Sequence, residues 1–382
     1  MLLAIISVQV SFPISASYQA ALSAECDVTV EIVADQLIRG RYLALRSSWE
    51  SLSRTRLMEN RSIAQRSIAF AVMPANSSQR PTTQDDVTLL SHVSTNKLDS
   101  LLRQVIRWNG PVSAAIYITS EADLEEFTSF VTRHHDDALQ RTTFHVLFET
   151  PRSPRGYPYN ILRNLALENM ETDYFLALDS DFVTAMDCHD RLKAYLANRE
   201  VKDMLQSKTV IVLPAFESSQ SANLSTVPES KTEVVQFFSA KALAPFEIEM
   251  WAPAHSPTNF SKWLTTTPSP TAASTGNSLD QIVYNIKYAA QFEPYVMGYK
   301  HGVPKLWNSF RGYFFDKASW FAEMRFMEVR FAVFYQDFVF HVGKSTPYSR
   351  DKKIWEENSA VWEHFKKYLS KVYGAPKDEK QW

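Results

Sequence analysis

The chain has 382 residues, a net charge of −2, 45% hydrophobic and 13% aromatic residues, which is enough apolar material for one large domain or two ordinary ones. The near-neutral balance and the lack of any Lys/Arg-dense block argue against a nucleic-acid surface, which needs a basic excess. With only nine glycines and no GxGxxG or GxxxxGK[ST] stretch, Rossmann dinucleotide binding and P-loop chemistry lose their main support.

The first residues, MLLAIISVQVSFPISASYQAALSAEC, carry no charge before Glu25 and are broken by Pro13. That run is short of the roughly 20 apolar residues that span a bilayer, but it suits a signal-peptide core. Residues 1–24 are therefore expected to be a signal peptide or short anchor associating with a membrane; the missing basic n-region keeps a plain buried segment or a mis-called start as the alternative. Asn-x-Ser sequons at Asn60, Asn76, Asn223 and Asn259 are compatible with a luminal route. Cys26 and Cys188, the only two cysteines, have no zinc-like spacing.

Residues 25–85 read as an N-terminal helical stem ending in a linker, PANSSQRPTTQDD. From Asp86 strand and helix patterns alternate: DVTLLSHV a strand, STNKLDSLLRQVIRWNG a helix with a Gly110 stop, VSAAIYIT a strand, EADLEEFTSFVTRH a helix, TFHVLFE a strand, YPYNILRNLALENM a helix, DYFLALDSD a strand. Further on come a strand in TVIVLPAF, a helix over Lys231–Ala244, a disordered insertion from Thr265 to Asp280, a strand or hairpin in FAVFYQDFVFHV, and a helix from Lys352 to Tyr373. The alternation predicts an α/β domain over 86–348, a mainly parallel sheet flanked by helices, followed by a C-terminal helix and tail over 349–382.

In such sheets ligands bind outside the carboxyl ends of the strands. Asp179 and Asp181 fall there, after the hydrophobic run YFLAL. Two like charges so close repel unless something positive lies between them. Hard carboxylate oxygens suit Mg2+ or Mn2+, commonly completed by substrate phosphates. One Asp-x-Asp is expected by chance about once in a chain this long, and a solvated turn is the competing reading. Asn160, Arg163 and Asn164 share one helix face just upstream, a stripe able to bind a nucleotide or sugar or simply to face solvent. His341 ends a strongly apolar strand and is either a satisfied structural residue or an imidazole ligand favouring Mn2+. Lys344 follows closely enough to approach phosphate.

These segments together resemble glycosyltransferase family 49, the group of LARGE-type and β-1,4-glucuronyltransferase Golgi enzymes. The resemblance is carried in order by DVTLLSHVSTNKLDSLLRQVIRWNGPVSAAIY, YPYNILRNLALENMETDYFLALDSDFV, VIVLPAFE, PTNFSKW, and FEPYVM through FRGYFFDK to FVFHVGK. It implies a GT-A fold, an Asp-x-Asp metal site completed by His341, and a UDP-sugar donor held by Asn160, Arg163, Asn164, Ser180 and Lys344. It further implies a glycan or glycoprotein acceptor reached through Asn259 and Trp263, a location in the Golgi lumen of the secretory pathway, and inverting transfer, with glucuronic acid one candidate sugar. Inversion needs a base for the acceptor hydroxyl, for which Asp316 and Glu293 are the candidates. The family reads Gly-x-Asn-Lys/Arg where this chain has Phe314-Phe315-Asp316-Lys317, and this chain lacks the family's Pro shortly after Asp-x-Asp, with Thr184-Ala185 there instead. Those departures keep open a catalytically drifted glycan- or nucleotide-binding protein. The Asp-x-Asp alone would also serve a metal-dependent nucleotidyltransferase or phosphohydrolase.

Overall fold

Every residue of Val112–Ile118 is buried, as in a strand covered on both faces. Alternate side chains enter two different cores: Val112, Ala114, Ile116 and Ile118 one, Ala115 and Tyr117 the other, the period-two consequence of the pleat. The computed structural model describes residues 70–73, 83–134, 138–149, 156–219, 226–266, 278–343 and 351–374. The expected signal segment, most of the stem, Cys26, Asn60, Asn76, Asn223, the central part of the insertion and Lys344 lie outside the described residues.

The strands, in chain order, are β1 (Phe70–Met73), β2 (Val87–Ser94), β3 (Val112–Ile118), β4 (Thr142–Phe148), β5 (Tyr174–Ala177), β6 (Phe182–Thr184), β7 (Thr209–Leu213), β8 (Ala215–Ser218), β9 (Leu243–Pro245), β10 (Val283–Ile286), β11 (Tyr295–Tyr299), β12 (Arg330–Phe334) and β13 (Val339–His341). Nine form one sheet in the order β1-β4-β3-β2-β5-β11-β7-β12-β10. Strands β2, β3, β4, β5, β7 and β12 run one way; β1, β11 and β10 run against them. The remaining four make a small sheet, β6-β13-β8-β9.

Helices cover both faces. On one side, α1 (Leu98–Trp108) and α2 (Glu121–His134) bury Leu101, Val105, Phe127 and Phe130. On the other, α3 (Tyr159–Asn169) buries Ile161, Leu162, Ala166 and Leu167 with Trp320, Phe321 and Met324 from the later helix Asp316–Phe326. The α/β expectation is met, and the sheet is mixed where antiparallel strands enter it.

Three local expectations shift and one holds. Phe70–Met73, read as part of a helical stem, is instead an edge strand paired antiparallel to β4. The helix expected over Lys231–Ala244 stops at Ser239, and Leu243 begins β9. The C-terminal helix Lys352–Tyr373 has the expected bounds, and its Phe365 and Leu369 pack with Phe310 and Ala322 in a third apolar cluster. Finally, α1 is stopped not by Gly110 but by Asn109, which takes the left-handed conformation (φ 53°), a role Asn fills readily.

Gly110 answers to a different constraint: a Cβ there would lie 2.3 Å from Cδ2 of His189. That ring is fixed because its Nε2 lies 2.8 Å from Oδ1 of Asp86, while Lys193 Nζ donates to Asp86 Oδ2 at 2.7 Å. Burial opposes ionisation of Asp86, but His189 and Lys193 hold its carboxyl below the usual range. The cluster anchors the start of β2. Replacing Gly110 with Ala must push His189 off Asp86, and overpacking of this kind costs about 1 to 3 kcal/mol. We expect the urea midpoint to fall with an unchanged slope; wild-type stability would show that the ring yields freely.

Candidate active site

Strand pairing brings the candidate residues together. β5 ends at Ala177 beside Val296 of the antiparallel β11, which sets Tyr295 next to the chain leaving β5, where Asp179 follows. The Asp179-Ser180-Asp181 turn is closed by the Phe182 amide donating to the Asp179 carbonyl at 3.0 Å. Gln104, buried on α1, clamps it by donating to the carbonyls of Asp179 (3.0 Å) and Phe182 (2.8 Å). β6 then pairs with β13 so that His341 opposes Phe182, and the Val342 amide donates to the Asp181 carbonyl at 2.8 Å. His341 Nε2 consequently lies 3.8 Å from Asp181 Oδ2.

Asp179 is the hub. Its Oδ1 accepts from Arg163 Nη2 at 3.0 Å and lies 3.5 Å from His92 Nε2; its Oδ2 accepts from Lys317 Nζ at 2.7 Å and from the Tyr295 hydroxyl at 3.0 Å. Burial opposes its charge, but Lys317 and Arg163 overcome that and hold the carboxyl well below the usual range. Burial keeps His92 neutral by lowering its pKa. Lys317 Nζ also sits 4.3 Å over the Tyr295 ring. Beneath the hub is a cavity of only about 30 Å³, lined by Ser91, His92, Arg163, Asp179 and Lys317 among others. It has room for a water rather than a sugar, so a substrate must lie on the outer side.

On that outer side Asp181 is one-third exposed and Lys97, half exposed, places Nζ 3.7 Å from Asp181 Oδ2. Burial works against the Asp181 charge; His341 and Lys97 outweigh it and lower the pKa. Ser180 lies partly buried in the turn between the aspartates.

Arg163 does not point a free guanidinium outward. Its Nη1 donates to Asp316 Oδ2 at 2.7 Å and to Asn160 Oδ1 at 3.1 Å, so it bridges Asp179 and Asp316. The two amides of the helical stripe are used internally as well. Asn160 Nδ2 donates to the carbonyls of Trp307 (3.1 Å) and Asp316 (2.8 Å). Asn164 Nδ2 donates to the Leu306 carbonyl and Asn308 Oδ1, both at 2.8 Å, while its Oδ1 accepts from the Leu306 amide. Asn160 and Asn164 thus fasten the 304–316 segment to α3, while Arg163 reaches both that segment and the Asp-x-Asp turn.

Asp316 opens its helix at the first position without capping it; its carboxylate is spent on Arg163. Glu293 is different. It is partly buried, its amide donates to the Ala254 carbonyl at 2.9 Å, and burial, with Asp316 and Asp179 close by, raises its pKa to about 7 against the pull of Lys317 and Arg163. Trp263 is fully buried and donates Nε1 to the Phe334 carbonyl at 2.9 Å, with Lys231 Nζ 4.3 Å over its ring. Asn259 is exposed and caps the following helix by accepting from the Lys262 amide at 3.1 Å.

Lys317, His92, Tyr295, Lys97 and Gln104 are the members that sequence reasoning missed. Only Lys317 carried a signal, since it fills the basic position of the FFDK stretch. The backbone delivering it is strained: Phe314 and Phe315 both have positive φ, 82° and 63°, a region that disfavours L side chains. Asn358, buried on the C-terminal helix, holds that turn by donating to the carbonyls of Arg311 (2.8 Å), Tyr313 (2.9 Å) and Phe314 (3.1 Å), and Phe315 stacks on Trp362 at 5.0 Å.

With this geometry established, the comparisons with known proteins define the class. Residues 86–156 and 152–374 match the family model described as glycosyl-transferase for dystroglycan, and the chain belongs to that family of glycosyltransferases. It is similar to xylosyl- and glucuronyltransferase LARGE2s of Gallus gallus (27% identical, 76% of this chain, 37% of that one), LARGE1 of Homo sapiens (26%, 76% and 36%) and LARGE2 of Mus musculus (29%, 77% and 40%). The chain thus spans well under half the length of these curated relatives. Among solved structures it is similar to GalNAc-T7 with UDP, GalNAc and Mn2+, at 9% identity and a TM-score of 0.43 over 75% of this chain and 49% of that one.

Losing the Asn358 amide takes the donor from the carbonyls of Arg311, Tyr313 and Phe314 in a partly exposed turn, where an ordinary lost hydrogen bond is worth about 0.5 to 1.5 kcal/mol. Asn358→Ala is expected to lower the unfolding free energy by about that amount and to reduce activity along with it. Thermal denaturation unchanged from wild type would show that the turn holds without the clamp.

Proposed function

We propose that this chain transfers a sugar from a UDP-sugar to a glycan or glycoprotein acceptor, with inversion, in the lumen of the secretory pathway and most naturally in the Golgi. The single observation that carries the reading is the Asp-x-Asp turn beyond the carboxyl end of β5, where Asp181 and His341 converge from paired strands to 3.8 Å; Glu293, whose carboxyl burial raises to about 7, is the candidate to take a proton near neutral pH. Family membership supports the reaction class, and the names of the relatives point to xylose or glucuronic acid as the sugar.

Mn2+, or Mg2+, fits the residues present. Asp181 and His341 converge from paired strands, and a carboxylate with an imidazole, completed by phosphate oxygens, is a Mn2+ donor set. Among the described residues no group of three His, Cys, Asp or Glu side chains converges as a preformed metal site, because Asp179 is turned toward Lys317. When bound, the ion would neutralise charge gathering on the departing nucleotide. Asp181 and His341 would hold it, with Asp179 joining where it leaves Lys317. Lys317 and Arg163 add fixed positive charge beside the diphosphate, which low polarity strengthens. Asp316, locked to Arg163, positions that guanidinium; Glu293 takes the acceptor proton.

The six charges of the cluster balance: Asp179, Asp181 and Asp316 against Arg163, Lys317 and Lys97. A divalent cation alone would unbalance it, whereas the cation together with a diphosphate of two negative charges does not. Calorimetry is expected to show weak Mn2+ binding by the chain alone and strong binding once UDP is added. Asp181→Asn should abolish the metal-dependent part, transfer included. Full activity of that variant, or of the wild type in excess EDTA with a panel of UDP-sugars, would remove the metal from the mechanism.

The base must be ionised to work, so transfer should rise with pH up to and through about 7 and then level. Glu293→Gln should cut transfer about 10²- to 10⁴-fold while UDP binding persists. The same shift has a stability cost of fixed sign: the folded state favours the protonated carboxyl, so that contribution is present below the ordinary carboxylate range and is lost as pH rises through about 7. A flat pH profile between 5.5 and 8.5 would reject Glu293 as the base.

A further inference from the structure

We propose that a second cleft, away from the Asp-x-Asp turn, binds neutral saccharide units of the acceptor glycan; this rests on the glycosyl-transfer reading above. The cleft, about 550 Å³, falls within the usual size of a small-molecule site. It lies between the 304–309 segment, the far end of the helix Asp316–Phe326 and the last turns of Lys352–Tyr373.

Its walls combine aromatic faces with polar groups. The Trp307 ring lies 4.7 Å from that of Tyr368 and 5.3 Å from that of Phe365, while its backbone is held by Asn160, so the indole is a fixed platform. Tyr373 is 38% exposed and donates its hydroxyl to Glu323 Oε1 at 3.1 Å. Burial raises this carboxyl to about 6. Asn308 spends Oδ1 on Asn164 and its amide hydrogens have no partner among the described residues, where the buried Trp307 indole N–H has none either.

Rigid rings beside unspent donors and a carboxyl match a sugar, which presents apolar C–H faces and hydroxyls that both give and accept. An anionic ligand fits poorly. The cleft's one cation, Lys305, is paired with Glu168 at 3.0 Å, and Glu323 would repel phosphate. The position is apt for an acceptor: Glu323 lies seven residues beyond Asp316 on one helix, about 10 Å at 1.5 Å per residue. The segment that forms one wall is the one α3 fastens beside the site.

The test uses the full chain without donor or metal on an array of immobilised neutral oligosaccharides, then the best-bound oligosaccharide as acceptor. Tyr373→Ala and Asn308→Asp should each weaken array binding about tenfold or more. They should raise KM for that acceptor while kcat and donor hydrolysis stay near wild type, with the melting temperature of Asn308→Asp unchanged. No binding by the wild-type chain, or equal binding by both variants, overturns the proposal. Donor hydrolysis absent from the wild type would instead overturn the transfer reading, and array binding would still decide the cleft.

Discussion

The ion pairs of Asp179 with Arg163 and Lys317 are the constraint around which the catalytic edge is assembled. A carboxylate carried out of a buried strand is costly unless compensated, and here the compensation comes from two other elements, α3 and the helix starting at Asp316. Three segments remote in sequence are thereby held to one point. Because Arg163 also takes Asp316, the pairs form a chain, Lys317 to Asp179 to Arg163 to Asp316, rather than separate bridges. Breaking one link strands a partly buried charge, the situation in which such pairs matter most.

The same chain divides the carboxylates by role. Asp179 is held ionised between Arg163 and Lys317 and is a poor proton acceptor for that reason, while the Asp316 carboxylate is engaged by Arg163. Asp181 stays at the open edge with His341. Glu293 lies near the cations without a close salt bridge to either among the described contacts, so burial dominates and its pKa moves up. Environments that push carboxyl pKa values apart are how one site separates charge stabilisation from proton transfer.

Much of this was legible in the chain. The strand-helix alternation and the hydrophobic run into Asp179 predict both the sheet and the edge where the site lies, because these depend on local periodicity. Pairing of His341 with Asp181 was legible only through the family resemblance, since β6 and β13 are far apart in sequence. The Asn160-Arg163-Asn164 stripe reads in the sequence as a surface for a nucleotide or sugar or for solvent, and its two amides turn out to hold the 304–316 segment. Periodicity says that residues share a helix face, not what lies across from it. Trp263 and Asn259 turn out to serve packing and capping for a similar reason: the same residue types suit a sugar surface and a buried corner. β1 was missed because four apolar residues suit an edge strand or a helix turn equally.

The turn at Phe314 and Phe315 is secured by Asn358, 44 residues further along the chain. A growing polypeptide completes its N-terminal parts first, so the sheet, α3 and the Asp-x-Asp turn are all available before the residue that secures Asp316 and Lys317 has been made. The candidate site is therefore the last feature to settle during synthesis, and a chain halted before its final helix would lack the clamp that holds the turn leading into Asp316 and Lys317.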